Sequence, residues 1–248
     1  MQKILITGAT GLIGPATIAQ LQNHHTLSAL IRSSLTTILC HHADITQLKA
    51  IEPAFDKIDT VIHLAAHIAN DRLASQRAHI QGTTYIFQAS LKTGARRVIF
   101  ASSRSVSGSY GQLSPYKKLL GRRYDAVGNT WPMIGHQSPL PPTGLYATSK
   151  VWGEELGRCA AKARHLSVFR RRFDRLSPEN RPTQKREYAV WCSHRDAVQM
   201  IEKRTAAPTD LFFDILFVNS DNKYGHHDLE RARHVGGFIP EDRAKDDR

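Results

Sequence analysis

The chain has 248 residues, 41% of them hydrophobic, and a formal charge of +12. That length suits one domain, or one with a small appendage, around a full core. No window holds the roughly 18 apolar residues of a membrane span, and Cys40, Cys159 and Cys192 are too scattered for a metal site or a disulfide framework. The expectation is a soluble protein with reduced thiols. It is placed in the cytoplasm, because Met1 leads directly into an apolar run with no signal-peptide pattern.

The positive residues occur as Arg96-Arg97, Lys117-Lys118, Arg122-Arg123 and Arg170-Arg171-Arg172, without a recognition-helix motif or interleaved aromatics. Nucleic acid is therefore not an expected partner. Anionic small molecules account for part of the charge and solvated surface for most of it. The pairs His24-His25, His41-His42 and His226-His227 lack carboxylate or Cys company in the sequence, so no metal is expected.

In chain order, Lys3-Ile4-Leu5-Ile6 reads as a buried parallel strand and residues 16–21 as a helix. Between them stands Thr7-Gly8-Ala9-Thr10-Gly11-Leu12-Ile13-Gly14, a glycine turn of the G-x-x-G-x-x-G type. Gly8 permits the sharp turn, Gly11 lets a pyrophosphate approach, and Gly14 lets the helix pack against the strand. The helix mouth, with Pro15 in its first turn, offers unpaired N–H groups and the positive end of the dipole to phosphates.

Leu27-Ser28-Ala29-Leu30-Ile31 is the second strand, and Arg32 follows where an acid would select NAD. The arginine leans toward NADP, with adenine stacking or solvent exposure as the alternative. Thr37-Ile38-Leu39-Cys40 is a short third strand. It leads to Asp44, which is either a cofactor contact or the cap of a helix over residues 46–51. The fourth strand, Asp59 to Ala66, ends in Ala65 and Ala66, small enough to leave room for ribose and pyrophosphate, with His63 packed inside it. A helix over residues 74–93 contains His79-Ile80-Gln81-Gly82-Thr83, and a fifth strand runs from Arg97 to Ser103.

After a long loop comes Tyr146-Ala147-Thr148-Ser149-Lys150. This spacing puts Tyr146 and Lys150 one turn apart on a helix face. A tyrosine near its ordinary pKa of about 10 is a poor base, and an adjacent ammonium favours the phenolate. Ser103 can then hold a substrate oxygen so that its proton meets Tyr146, and Lys150 can reach the nicotinamide ribose.

Glycine turn, alternating strands and helices, Ser102-Ser103 and Y-x-x-x-K together resemble the short-chain dehydrogenase/reductase family. The segment from Thr143 to Glu154, then Arg186 ahead of Trp191-Cys192-Ser193-His194-Arg195-Asp196, is similar to the extended branch of NAD-dependent epimerases and dehydratases, and to its uronate dehydrogenase-like members. The resemblance implies a doubly wound parallel α/β sheet of the Rossmann type. Residues 1–165 would bind NAD or NADP and carry the catalytic helix, and residues 166–248 would add the last strands and a small substrate lobe. It implies Ser103, rather than Ser102, as the catalytic serine, counted back from Gly108. Cofactor contacts are implied from Gly8, Thr10, Gly11, Leu12, Ile13 and Gly14, from Arg32, Asp44 and Ile45, from Leu64, Ala65 and Ala66, and from Tyr146 and Lys150. Arg186 would pair with a sugar carboxylate, or else be a surface charge, and Ser103 and Arg104 are the other substrate contacts implied. Asp196 is expected to cap a helix over residues 197–203.

The chain departs from these relatives at three places. His79 replaces an Asn that supports the catalytic lysine, and Arg104-Ser105 replaces Asn-His. In the sixth strand, Arg170-Arg171-Arg172 and Asp174 put charges where a strand buried on both faces holds them badly, which predicts an edge position or distortion. The last strand, residues 211–218, and a helix over residues 228–234 are expected to form the lobe, and residues 241–248 a frayed tail.

The implied activity is hydride transfer from a sugar or sugar-acid hydroxyl. The alternatives are a nucleotide-sugar epimerase or dehydratase, for which the lobe is slight, and a cofactor-binding regulatory protein without turnover. Homo-oligomers are common in the family, but no interface is identifiable in the sequence.

Overall fold

The computed structural model describes residues 1–67, 71–164, 166–208 and 212–245. Seven parallel strands form one sheet in the order β3-β2-β1-β4-β5-β6-β7. They are β1 Lys3–Thr7, β2 Thr26–Ile31, β3 Leu39–His42, β4 Thr60–His63, β5 Arg97–Ser103, β6 Ser167–Phe173 and β7 Phe213–Val218. The order reverses between β1 and β4, which makes the sheet doubly wound and opens a crevice at the carboxyl ends of those strands.

The helices are α1 Gly14–Leu21, α2 Leu48–Ile51, α3 Arg72–Gln76, α4 Thr83–Thr93, α5 Tyr116–Leu120, α6 Gly144–Arg164, α7 His194–Thr205 and α8 Glu230–His234. Alternation along each strand distributes the core to both faces. Ile4 and Ile6 of β1 pack with Ile18 and Leu21 of α1 and with Met200 and Ile201 of α7. Leu5 points the other way, to the layer built from Ile86 and Phe87 of α4 and Ala160 and Ala161 of α6. Among the described residues, no helix is long and apolar enough to cross a membrane.

Several sequence expectations change. β6 is neither at the edge nor distorted: it lies between β5 and β7, in register with both, and all seven of its residues are buried. Its arginines are housed by alternation. Arg172 faces α6 and forms a bidentate pair with Glu154 at 2.9 and 2.8 Å. Arg170 donates to the Glu154 carbonyl at 2.9 Å and stacks on Phe213. Arg171 points to the opposite face, 3.8 Å from Asp214, which also accepts from Arg231 at 3.0 Å. Burial of an arginine is tolerated when its charge is paired. Each of the three has an acid within 3.9 Å, although Arg171 Nε and Nη2 have no hydrogen-bond partner among the described residues. Arg97 and Arg204 are buried too, donating to carbonyls beyond α7 and α8 respectively. Part of the basic composition is therefore internal: Arg97, Lys150, Arg170, Arg171, Arg172 and Arg204 are buried.

β7, expected as the last strand, is the seventh strand of the sheet, although Leu211 at its predicted start lies outside the described residues. The long loop before α6 is not featureless. It forms a 3₁₀ stretch over Arg104–Gln112, α5, and an aromatic cluster in which Tyr116, Tyr124 and Trp131 pack with Tyr224 and with Phe217 of β7. α7 starts at His194, not at residue 197, and its cap is Ser193, whose Oγ accepts from the Asp196 N–H at 3.0 Å. Asp196 accepts instead from Ser220 Oγ and the Glu241 N–H, which ties down a segment expected to fray. Residues 246–248 of that tail lie outside the described residues.

Candidate active site

The crevice at the carboxyl ends of β1, β4 and β5 is a cleft of about 1180 Å³. Its floor is the glycine turn. Gly8 sits at φ +72°, and a methyl group there would stand 2.6 Å from the Ala65 nitrogen, so β1 and the end of β4 approach too closely for any side chain. Gly14 answers a different demand from the one expected. A Cβ there would lie 2.2 Å from the Ala9 carbonyl, so the glycine lets the turn fold onto itself, and it lies behind the cleft wall. Thr10, Gly11, Leu12 and Ile13 do line the cleft. The N–H groups of Leu12 and Ile13 at the mouth of α1 have no partner among the described residues. Below the turn, His63 is packed as expected: Thr7 Oγ1 lies 2.7 Å from its Nδ1 and Thr83 Oγ1 3.2 Å from its Nε2.

At one end of the cleft, Arg32 and Asp44 face each other at 3.8 Å, beside Ser33 and Ile45. Asp44 does not cap α2. Its Oδ1 accepts from the Thr46 N–H and hydroxyl, both at 2.8 Å, which fixes the carboxylate against the cleft. Leu64, Ala65 and Ala66 form the middle wall. The shape, the bare glycine turn and the free N–H groups fit a dinucleotide with its pyrophosphate at the helix mouth.

At the other end Ser103, Arg104, Tyr146 and Lys150 come together. Ser103 ends β5, and its Oγ accepts from the Ser105 N–H and hydroxyl at 3.2 and 2.9 Å. Ser102 points away, donating to Glu154 at 2.6 Å in the buried layer, although it grazes the cleft wall. Lys150 is buried, its Nζ 5.6 Å from the Tyr146 ring centre, and it donates to the Ala101 carbonyl at 2.7 Å. Burial brings its pKa down to about 8, with Glu154 acting in the opposite direction. Burial raises the Tyr146 phenol, and a hydrogen bond with Ser103 opposes the rise. The expected lowering by Lys150 does not appear: its ammonium donates to the Ala101 carbonyl and not to the phenol.

His79 lies on a π-helical turn, Arg77–Gly82, between α3 and α4, so the predicted single helix carries one wide turn at the site. Its Nε2 lies 2.9 Å from the His67 carbonyl oxygen, and its ring meets Tyr146 edge-on at 5.2 Å. Burial and the Lys150 charge push it down to about 4, which keeps it neutral.

Arg186 does not line the large cleft. It lines a second cavity of about 260 Å³, together with Arg104, which borders both. Behind Arg104, Asp174 is buried against His227 at 2.8 Å, and burial raises its carboxyl to about 8. The His226-His227 pair thus has carboxylate company that only the fold reveals. Glu154 was also missed as a site residue, although its place four residues after Lys150 on a helix signals a contact with it.

The chain matches the NAD dependent epimerase/dehydratase family over residues 4–190. It is 28% identical to the NAD-dependent glucose-6-phosphate dehydrogenase of Haloferax volcanii, over 97% of this chain and 94% of that one. It is 27% identical to the uronate dehydrogenase of Agrobacterium fabrum, over 99% and 86% of the respective chains. It superposes on the crystal structure of uronate dehydrogenase from Agrobacterium tumefaciens with a TM-score of 0.81 at 24% identity, covering 98% of this chain and 86% of that one. Glycine turn, sheet order and family match agree: this chain belongs to the NAD dependent epimerase/dehydratase family.

Proposed function

We propose that this protein is an NAD(P)-dependent oxidoreductase that oxidises a hydroxyl of a sugar or sugar acid, with Tyr146 as base, Ser103 as substrate anchor and Lys150 as ribose ligand. One observation carries the reading: Ser103, Tyr146 and Lys150 border the same cleft whose floor is the glycine turn. The names of its relatives support the substrate class. In this reading residues 1–165 hold the dinucleotide, and residues 166–248 complete the sheet and bring Arg186 to the substrate.

When bound, the dinucleotide supplies a two-electron hydride acceptor. The protein's part is proton handling and position. Ser103 Oγ takes the substrate hydroxyl as hydrogen-bond partner, and the proton passes to Tyr146 as the C–O bond becomes a carbonyl. Lys150, charged at neutral pH although buried, favours the phenolate once its ammonium turns from Ala101. His79 packs edge-on against the Tyr146 ring and holds it over the cleft.

Arg32, exposed at the end of β2 beside Ser33, supports NADP as the preferred cofactor, its guanidinium suiting a 2′-phosphate. A nucleotide-sugar epimerase is disfavoured by the 260 Å³ second cavity, which holds a substituent and not a nucleotide. The test is reduced-nicotinamide absorbance from purified protein with NAD or NADP and a panel of aldoses, uronates and sugar phosphates. Turnover that disappears in Tyr146→Phe is expected. Cofactor binding without any turnover would overturn the oxidoreductase reading.

A further inference from the structure

Beyond the dinucleotide cleft, the second cavity gathers positive charge without an acid of its own. Arg104, Arg186 and His226 line it, with Gly108, Gly111 and Gly121 as bare wall. Among the described residues, no hydrogen bond or ion pair engages the guanidinium of Arg104 or Arg186, whereas those of Arg170 and Arg172 are both tied to Glu154. We propose that this cavity receives the phosphate of a phosphorylated monosaccharide, gripped by Arg104 and Arg186 while the reacting hydroxyl lies at Ser103 and Tyr146. The proposal rests on the oxidoreductase reading and narrows its substrate.

The first argument is the commitment of the neighbouring acids. Asp174 is held by His227 at 2.8 Å, and burial favours its neutral form. Glu187 accepts from the Thr183 N–H at 2.7 Å, the Gln184 N–H at 3.2 Å and Arg175 Nε at 2.9 Å. Asp174 and Glu187 favour the charge of Arg104 only from a distance, and neither forms an ion pair with either guanidinium of the cavity. Burial and the charges of Arg186 and Arg175 act against the charge of Arg104. An anion between Arg104 and Arg186 removes that repulsion.

The second argument is the count of donors. One planar guanidinium meets both oxygens of a carboxylate, so a uronate needs only one of these arginines. Two guanidiniums match the terminal oxygens and double charge of a phosphate monoester. His226 is buried at 3% exposure, and its Nδ1 has no partner among the described residues. It stays neutral, pushed down to about 3 by burial and His227.

The third argument is size and position. A Cβ on Gly108 would meet Thr143 Oγ1 at 2.5 Å, and one on Gly111 would meet Leu120 Cδ1 at 2.9 Å, so side chains there would intrude on a wall already tight. Arg104 follows Ser103 in sequence and borders both cavities, so a single sugar ring can bridge from the catalytic serine to the anion pocket.

The test compares glucose 6-phosphate, glucose and glucuronate as substrates, and measures inorganic phosphate binding by calorimetry, in native protein, Arg186→Gln and Arg104→Gln. Arg186 is exposed, so its variant is expected to fold; NADH fluorescence titration and thermal unfolding check each variant. The expected result is highest kcat/KM for glucose 6-phosphate, with phosphate affinity and the preference over glucose each falling about 10- to 100-fold in Arg186→Gln. Preference for glucuronate or glucose, or phosphate affinity unchanged by both variants, overturns the proposal. Arginine-dependent phosphate binding without turnover of any sugar upholds the phosphate pocket and defeats the oxidoreductase reading instead.

Discussion

Glu154 stands one turn beyond Lys150 on α6, and Arg172 of β6 takes both of its carboxylate oxygens, at 2.9 and 2.8 Å. Ser102, the residue before Ser103, donates to the same carboxylate at 2.6 Å. One buried acid thus joins the helix that carries Tyr146 and Lys150 to two neighbouring strands. Removing Glu154 leaves Arg172 as a buried charge without its acid, and removing Arg172 leaves Glu154 only the more distant Arg170, at 3.9 Å. Arg172→Met or Glu154→Leu alone should cost about 3–5 kcal/mol of stability, and the double replacement clearly less than the sum of the two. Urea unfolding of the three variants measures this; additive losses would show that the pair is not coupled.

Tyr146→Phe removes the phenolic oxygen proposed as the base and leaves the ring that packs against His79. The expected loss in kcat is about 10²–10⁴-fold, with dinucleotide affinity retained. Steady-state rates set beside fluorescence titration of the cofactor separate the two effects. Activity within a few-fold of native would exclude Tyr146 as the base.

The fold was legible because its signals are local and periodic. The run Ile4 to Ile6, the glycine turn and Y-x-x-x-K each demand one backbone form, and each stands where expected. Arg170 to Arg172 were misread for the opposite reason. Whether a charge on a central strand is tolerable depends on Glu154 and Asp214, which come from other elements and meet the arginines only in the folded sheet. The same holds for Asp174 and His227, which are 53 residues apart, and for Arg104 and Arg186, whose shared cavity no spacing in the sequence reveals. The glycine turn and the helix carrying Tyr146 and Lys150 could be located by pattern, whereas the surroundings of Arg104 and Asp174 rest on long-range pairing.

Arg32 is exposed and only loosely engaged with Asp44, at 3.8 Å, so its substitution leaves the fold intact. Arg32→Ala should weaken NADP about tenfold or more, the scale of one charged hydrogen bond, and alter NAD affinity little. Dissociation constants for both dinucleotides, measured by fluorescence, decide the matter. An equal loss for both would mean that the guanidinium contacts adenine and not a 2′-phosphate.

Asp174 gives the protein a pH dependence that its position alone explains. Burial raises its carboxyl from 3.8 in the open chain to about 8, opposed by Arg104 and His226. Between those values the folded state holds a proton that the unfolded state has released, so stability falls as pH rises through that window. Its partner His227 is held well below 6.5 by burial and by Arg104, so its effect has the opposite sign and is confined to acid solution, where stability is lost as pH drops under 6.5. Lys150, lowered from 10.5 to about 8, adds a rise only above pH 8. From pH 6.5 to 8 the decline therefore belongs chiefly to Asp174. Asp174→Asn keeps a donor for His227 Nδ1 and removes the titration. Thermal midpoints of the native protein should fall across that interval while those of the variant stay level, and parallel profiles would show that Asp174 is ionised in the fold.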